Sequence, residues 1–383
     1  MKTYKFKLYR SKKNRHLHEQ IDLAGRIWNH CIALYRRYYK LTGKHLSAYD
    51  LMKHLTKLKK RGALWAKYAE WNKVGSQAIQ DIVQRIERSY QLFFRNLKAG
   101  IKTAPPGFKK VKRYKSFTLK QAGWKLLGSN KIRIQGVIYK FSKSRNILGI
   151  IKTVTVKRDK LGQFWLYFVT EQEEELQPTE ARTGQSVGFD FGLKTFLTGS
   201  DGTAIEAPLF FRQYLNDVRR AYRQLSRKKK GGNNRRKASL HLNRVYQRID
   251  NLRHDFFFKL AHELTDKYET IFFEDLNLKG MKALWGRKVS DLCFGTFLNV
   301  LQYIASTKGL VVRFIDRFYP SSKTCSDCGH IYQSLSLKER SWACPGCGVI
   351  HDRDFNAALN LHRVGASTLG GGEVRPSSDG IRC

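Results

Sequence analysis

The sequence predicts a multidomain α/β protein in which a helical bundle and a small antiparallel barrel precede a larger mixed sheet with an inserted zinc ribbon. Three observations predict it. Apolar residues recur at steps of three and four over the first hundred residues and at a step of two in the runs between 108 and 171. From Ser186 onward, strand-like runs alternate with long helical patterns. Four cysteines near the C-terminal end have the spacing of a metal clip.

Taken in order, Tyr4, Phe6 and Leu8 alternate with Lys5 and Lys7, as in an edge strand. Three amphipathic helices follow: Leu17, Ile21, Ala24, Trp28, Cys31 and Tyr35; then Leu51, Leu55 and Leu58; then Ile79, Val83, Ile86, Tyr90, Phe93 and Leu97. Gly100 and the run Pro105-Pro106-Gly107 end this bundle. The opposite face of the third helix carries Ser76, Gln77, Gln80, Gln84, Arg88 and Arg95. Glutamine can pair with adenine through two hydrogen bonds, so Gln77 and Gln80 are candidates for reading bases; a solvated polar face is the alternative.

Runs such as 131–134, 150–157 and 164–170, separated by Gly or Asn turns, suit a small antiparallel barrel that the N-terminal strand joins across the helical insertion. The acidic stretch 171–178 reads as a linker. Beyond it come the strand SVGFDFG with its hairpin partner LKTFLTGSDG and two basic helices over about 210–229 and 235–267. The strand YETIFFEDL, a helix over about 290–307 and the strand LVVRFIDRFYP complete a mixed sheet. The Gly- and Ser-rich residues 365–383 read as a flexible tail.

Charge narrows the function. Lys and Arg number 72 against 31 Asp and Glu, a net charge of +41 spread along 383 residues. Such a field favours a large polyanion as partner. No run of 18 apolar residues and no signal-peptide pattern is present, so the expected location is the cytoplasm, at the nucleoid of a prokaryote.

Cys325, Cys328, Cys344 and Cys347 follow the pattern C-x2-C-x15-C-x2-C of a structural zinc site, and in a reducing compartment thiols at this spacing hold metal. Gly329 and Gly348 follow each pair and suit the tight turns that aim amides at thiolates. Cys31, Cys293 and Cys383 lack such partners.

Three acids fall where a mixed sheet can gather them: Asp190 in the first strand, Glu274 at the end of YETIFFE, and Asp354 at the start of the helix after the ribbon. Carboxylates without a histidine base or serine nucleophile suit Mg²⁺ or Mn²⁺. Two such ions about 4 Å apart activate water and stabilise the departing oxygen of a phosphodiester. Taken singly, each acid has a structural alternative: a turn residue before Gly192, an exposed strand end, or an N-cap shared with Asp352.

The segments VGFDFGLKTFLTGSDG, IFFEDLNLKGM, FYPSSKTCSDCG, SWACPGCG and HDRDFNAALN occur in the order found in the TnpB family. These OrfB-type insertion-sequence proteins are compact relatives of type V CRISPR effectors. The resemblance covers roughly residues 1–375. It implies an RNA-guided, Mg-dependent DNA endonuclease with a RuvC, RNase H-like, nuclease domain over 183–364, its zinc ribbon at 322–350 and catalytic acids at Asp190, Glu274 and Asp354. It also implies a β-barrel wedge domain over 1–10 and 105–180, a helical recognition domain over 11–104, and a tail from 365. A monomer bound to guide RNA and double-stranded DNA is the expected assembly. In that setting Arg223, Arg227, Lys228, Lys229, Lys230, Arg235, Arg236 and Lys237 would line the path of an RNA–DNA heteroduplex through its phosphates. Two rivals stand beside this reading: a self-sufficient transposase or resolvase, and a non-catalytic nucleic-acid-binding regulator.

Overall fold

The computed structural model describes residues 1–61, 66–171, 184–336 and 338–368. The chain divides into two compact units, Met1–Glu174 and Glu175–Cys383.

In the first unit, strand β1 (Lys2–Leu8) leads into helices α1 (Asn14–Thr42), α2 (Ala48–Lys60), α3 (Ala66–Ala69) and, after a 3₁₀ turn, α4 (Ser76–Lys98). Six strands follow: β2 (Ser116–Leu119), β3 (Trp124–Leu126), β4 (Lys131–Ile134), β5 (Val137–Ser142), β6 (Ile150–Arg158) and β7 (Phe164–Glu171). They form one antiparallel, nearly closed sheet in the order β2-β6-β7-β1-β5-β4-β3. The alternation of β1 holds, with Tyr4, Phe6 and Leu8 buried, but β1 is not an edge strand. It pairs with β7 on one side and β5 on the other, so its backbone groups on both flanks are used.

The predicted faces of α1 and α2 pack inward, and Ser47 caps α2 by accepting from the Asp50 amide at 3.1 Å. Along α4 the buried stripe runs from Ala78 to Tyr90, while Leu97 is exposed. Part of the polar side of α4 is docked on β2. Asp81 accepts from the Thr118 amide at 3.1 Å and pairs with Arg85 at 2.8 Å, while Arg85 donates to the Ser116 carbonyl at 3.1 Å. The entry to α4 is pinned to the β4–β5 turn. Gln135 there accepts from Gln20 and donates to the Val74 carbonyl, and a Cβ on Gly75 would lie 2.2 Å from the Gln135 amide nitrogen.

The second unit is built on β8 (Ser186–Asp190), β9 (Thr195–Gly199), β10 (Ala204–Glu206), β11 (Thr270–Glu274) and β12 (Val311–Ile315). The sheet order is β10-β9-β8-β11-β12; β8, β11 and β12 run parallel, and β9 and β10 turn back antiparallel. Between β10 and β11 lie α5 (Phe210–Gln213), α6 (Leu215–Ser226) and α7 (Asn233–Lys267). Helices α8 (Leu278–Leu292) and α9 (Phe294–Thr307) join β11 to β12. The ribbon strands β13 (Ser341–Ala343) and β14 (Ile350–Asp352) then lead into α10 (Arg353–Ser367).

Three expectations change here. The first basic helix is broken at Tyr214, since α5 is a separate turn whose Phe211 and Arg212 amides donate to the buried Asp291 carboxylate at 2.8 and 3.1 Å. The helix expected over 290–307 begins at Phe294, because Cys293 takes a left-handed conformation (φ 49°) and separates it from α8. Residues 365–367 are not tail: they complete α10, with Gly365 buried. The acidic linker beyond Glu171 and the tail from residue 369 lie outside the described residues. Among the described residues no helix is long and apolar enough to cross a membrane.

Candidate active site and metal centre

Period-two alternation decides which side chains of the second sheet meet α10. Val187 and Phe189, with Ile271 and Phe273, enter the large core shared with α7 and α9. Gly188, Asp190, Phe272 and Glu274 therefore point to the opposite face, where α10 lies. The approach is close enough to exclude side chains. A Cβ on Gly188 would sit 2.5 Å from the Ala358 carbonyl, and one on Gly365 would sit 2.2 Å from the Phe272 ring.

Asp190 and Glu274 end neighbouring parallel strands whose register pairs Phe189 with Phe273, so the acids occupy consecutive positions on one edge. Asp354 enters from the first turn of α10. It is not the cap: Asp352 takes that role, accepting from the Phe355 amide at 2.9 Å. Asp190 feels the other two. Burial, then the charges of Asp354 and Glu274, push the Asp190 carboxyl well above the usual carboxylate range. Burial is also the main cause that raises Glu274, to about 7, partly countered by the Ser321 hydroxyl at 3.5 Å and aided by the charge of Asp275. Desolvated carboxylates that repel one another are the donor set a divalent cation relieves. They do not yet close around a point. Among the described residues, the ligand groups lying within 4.8 Å of one another are the four ribbon thiols and the set Cys325, Asp327 and His351. Asp354 is paired instead with Arg340 of the ribbon, at 3.1 and 3.3 Å.

The thiols fit zinc. Cys325 and Cys347 sulfurs are 3.7 Å apart and those of Cys328 and Cys344 3.6 Å, close to the edge of about 3.8 Å that four Zn–S bonds of about 2.3 Å require in a tetrahedron. Amides of Cys328 and Gly346 approach the sulfurs of Cys325 and Cys344 at 3.5 and 3.4 Å. Gly329 and Gly348 carry the positive φ of 77° and 75° that these turns need. Buried His351 places Nε2 3.0 Å from the Cys325 sulfur, shorter than a ligand-to-ligand edge, as befits an outer-shell donor.

The clip is fastened to the acid-bearing helix by residues not singled out from sequence. Asn356 accepts from the Ser326 amide at 2.9 Å and donates to the Thr324 carbonyl at 2.8 Å; Asn360 donates to the Thr324 and Ser321 carbonyls at 2.6 and 2.8 Å. Both asparagines are buried. Their positions, two and six residues after Asp354 on one helix, were the available signal: polar residues where the pattern calls for apolar ones.

The other candidate residues lie elsewhere. Gln77 is half-buried and Gln80 exposed on α4 of the first unit. Arg223, Arg227, Lys228, Lys229, Lys230, Arg236 and Lys237 are exposed around the α6–α7 turn. Arg235 differs: half-buried, it donates to the Leu225 and Lys228 carbonyls at 2.8 and 3.0 Å and closes the turn between the helices.

Fold and site together define a two-unit α/β protein in which a parallel-centred sheet, a tightly docked helix and a four-thiol clip gather three carboxylates. Residues 167–284 match the family OrfB_IS605, described as "Probable transposase", and residues 294–361 match the "Cas12f1-like, TNB domain". Over these segments the chain is similar to OrfB- and TnpB-type proteins. It is 36% identical over 60% of its length to a Streptomyces pristinaespiralis protein named "Putative RNA-guided DNA endonuclease", and that match spans 57% of the relative. InsQ of Escherichia coli K12, which bears the same designation, is 28% identical over 78% of this chain and 77% of its own length. TnpB-like protein L770 of Acanthamoeba polyphaga mimivirus is 28% identical over 60% of this chain and 46% of its own. In fold, the chain is similar to the protein of a Cas12f1–sgRNA–target DNA complex, with a TM-score of 0.54 at 16% identity over 92% of this chain and 83% of the other. It is likewise similar to the mini RNA-guided endonuclease CRISPR-Cas phi3, with a TM-score of 0.56 at 11% identity over 98% and 93%.

Proposed function

We propose that this chain is an RNA-guided, divalent-metal-dependent DNA endonuclease of a transposable element, cutting double-stranded DNA beside a short motif at a single RuvC-like site. The observation that carries the reading is the acid edge: Asp190 and Glu274 end adjacent parallel strands, and Asp354 joins them on a helix held by the clip. The sheet order, with a parallel core and an antiparallel extension on the β8 side, supports an RNase H-like assignment. In this reading the first unit serves as wedge and recognition parts, and the net charge of +41 is matched by guide RNA and target.

Each residue has a task. Bound Mg²⁺ or Mn²⁺ supplies activation of water and stabilisation of the leaving oxygen of the phosphodiester. Asp190 and Glu274 would hold the cation in their ionised forms, which burial makes costly, the more so for Asp190 beside the charges of Asp354 and Glu274. Ser321 donates to Glu274, and Asp354, here paired with Arg340, would be the third group to hold the cation. The clip, through Asn356 and Asn360, fixes the depth at which Asp354 meets the sheet edge.

The test incubates RNA-free protein, Mg²⁺ and a target plasmid with and without a matching guide. Cleavage is expected only with the guide, moving when the guide changes, and lost to background in Asp190→Ala, Glu274→Ala or Asp354→Ala. Site-specific cleavage without RNA would favour a self-sufficient transposase.

A further inference from the structure

The turn that follows β12 carries one ring whose setting the acid site alone does not explain. Phe318 is 86% exposed, the highest value among the exposed large apolar side chains of the described residues. A lone exposed aromatic is ordinary on a protein surface. This one sits in a turn whose neighbours are all spent on holding it. The Phe318 amide donates to the Asp316 carboxylate at 2.7 Å, and the Tyr319 amide to the Asp316 carbonyl at 3.1 Å. Arg317 pairs with Asp275, the residue beside Glu274. Tyr319 packs inward on the cluster of Phe272, Ile315 and Leu361 under α10. Two residues after Tyr319, Ser321 donates to Glu274 itself. A rigid turn, tied at both ends to the Glu274 corner, therefore presents a bare aromatic face to solvent.

We propose that Phe318 is a stacking platform for a nucleobase of the single DNA strand led to the acid edge, a positioning residue for the nuclease reaction proposed above, on which this inference rests. An aromatic face binds any base through its π-surface, without sequence preference. That tolerance suits an enzyme whose sequence reading is done by base pairing elsewhere. A strand held by a stacked base beside Glu274 has its backbone restrained close to the carboxylates, so the ring acts on substrate placement and leaves the chemistry to the acids.

The experiment uses the full chain carrying Asp190→Ala, which binds without cutting, and a single-stranded DNA oligonucleotide containing one 2-aminopurine. Stacking quenches this base, so the parent should bind with loss of fluorescence. Adding Phe318→Ala should abolish the quenching and weaken binding roughly 5- to 100-fold, while Phe318→Trp should retain both, with thermal unfolding unchanged in each. In otherwise wild-type protein with guide, Phe318→Ala should raise KM more than it lowers kcat. If the parent quenches and Phe318→Ala does so equally at equal affinity, the proposal falls and the nuclease reading stands. A Phe318 dependence seen only with an RNA oligonucleotide also overturns it. A parent that binds no single-stranded DNA removes the proposal, while the nuclease reading is decided separately by the guide-dependent plasmid assay.

Discussion

Both units build a sheet over an aromatic core, yet it is in the second that two half-buried carboxylates end neighbouring parallel strands. In the first, each well-placed acid is spent on structure: Asp22 pairs with Arg158 at 2.7 Å, Asp81 with Arg85 at 2.8 Å, and Asp159 accepts from the Leu161 and Gln163 amides at 2.8 Å each. In the second, burial raises the cost of ionising both Asp190 and Glu274, and the charge of Glu274 adds to that cost at Asp190. Strand direction explains the difference. Antiparallel hairpins distribute strand ends over both rims, whereas β8, β11 and β12 run parallel and deliver their C-terminal ends to one edge, where ligand-binding groups of open α/β sheets collect. The acids named in the first unit are fasteners, as are Asp201 and Asp291 in the second, whereas Asp190 and Glu274 sit where burial opposes their charge.

The comparison breaks most readily at the clip. Cys344→Ser should lose the metal and loosen the start of α10, since structural zinc supplies on the order of 10 kcal/mol to small ribbons. Metal analysis and proteolysis of the 321–360 segment check this, and well-folded wild-type protein without zinc would end the claim. Next, Asp81→Ala strips Arg85 of its partner beside β2 and should destabilise the chain by about 3 kcal/mol, read from urea midpoints. Its effect on cutting should follow from lost stability alone.

Glu274→Gln should act in the opposite direction. Folding lifts the Glu274 carboxyl from its ordinary 4.5 to about 7, so ionisation opposes the folded state. The penalty is absent below the unfolded value, grows as pH rises through this window and is complete above about 7. In chelator, the wild-type chain should therefore lose stability across that window relative to Glu274→Gln. Above it the variant should be the more stable by on the order of 2 kcal/mol, allowing for partial solvation, while its cleavage is abolished. Equal pH profiles of unfolding would show that the edge is not strained. The smallest effect belongs to the exposed turn. Lys228→Ala should reduce the salt slope of nucleic-acid binding by about 1 with no change in sequence preference, whereas Arg235→Ala should cost stability because its hydrogen bonds are internal.

Local rules made much of this molecule legible. Periods of two and of three or four located β1, β4, β6–β9, β11 and β12, the faces of α1 and α2, and the core of the second sheet. Spacing marked the clip, and strand ends marked Asp190 and Glu274. What failed depended on partners distant in sequence. Cys293 breaks a helix beside Asp291, whose carboxylate is engaged by α5 some eighty residues earlier. β1 reads like an edge strand because alternation does not reveal how many neighbours a strand has. Arg235 looks like its basic neighbours until the carbonyls of Leu225 and Lys228 are brought within its reach.

By itself, then, the sequence determined the element types, the four-cysteine spacing, the sign of the surface and which acids stand at strand ends, because each is a matter of nearest neighbours along the chain. Only the tertiary structure decided that Asp354 meets Arg340, that Asn356 and Asn360 clasp the clip, that His351 backs Cys325, and that Phe318 is left bare on the turn whose Arg317 pairs with Asp275. Those contacts join segments distant along the chain around α10, which lies on the sheet where Gly188 and Gly365 leave room for nothing larger than hydrogen.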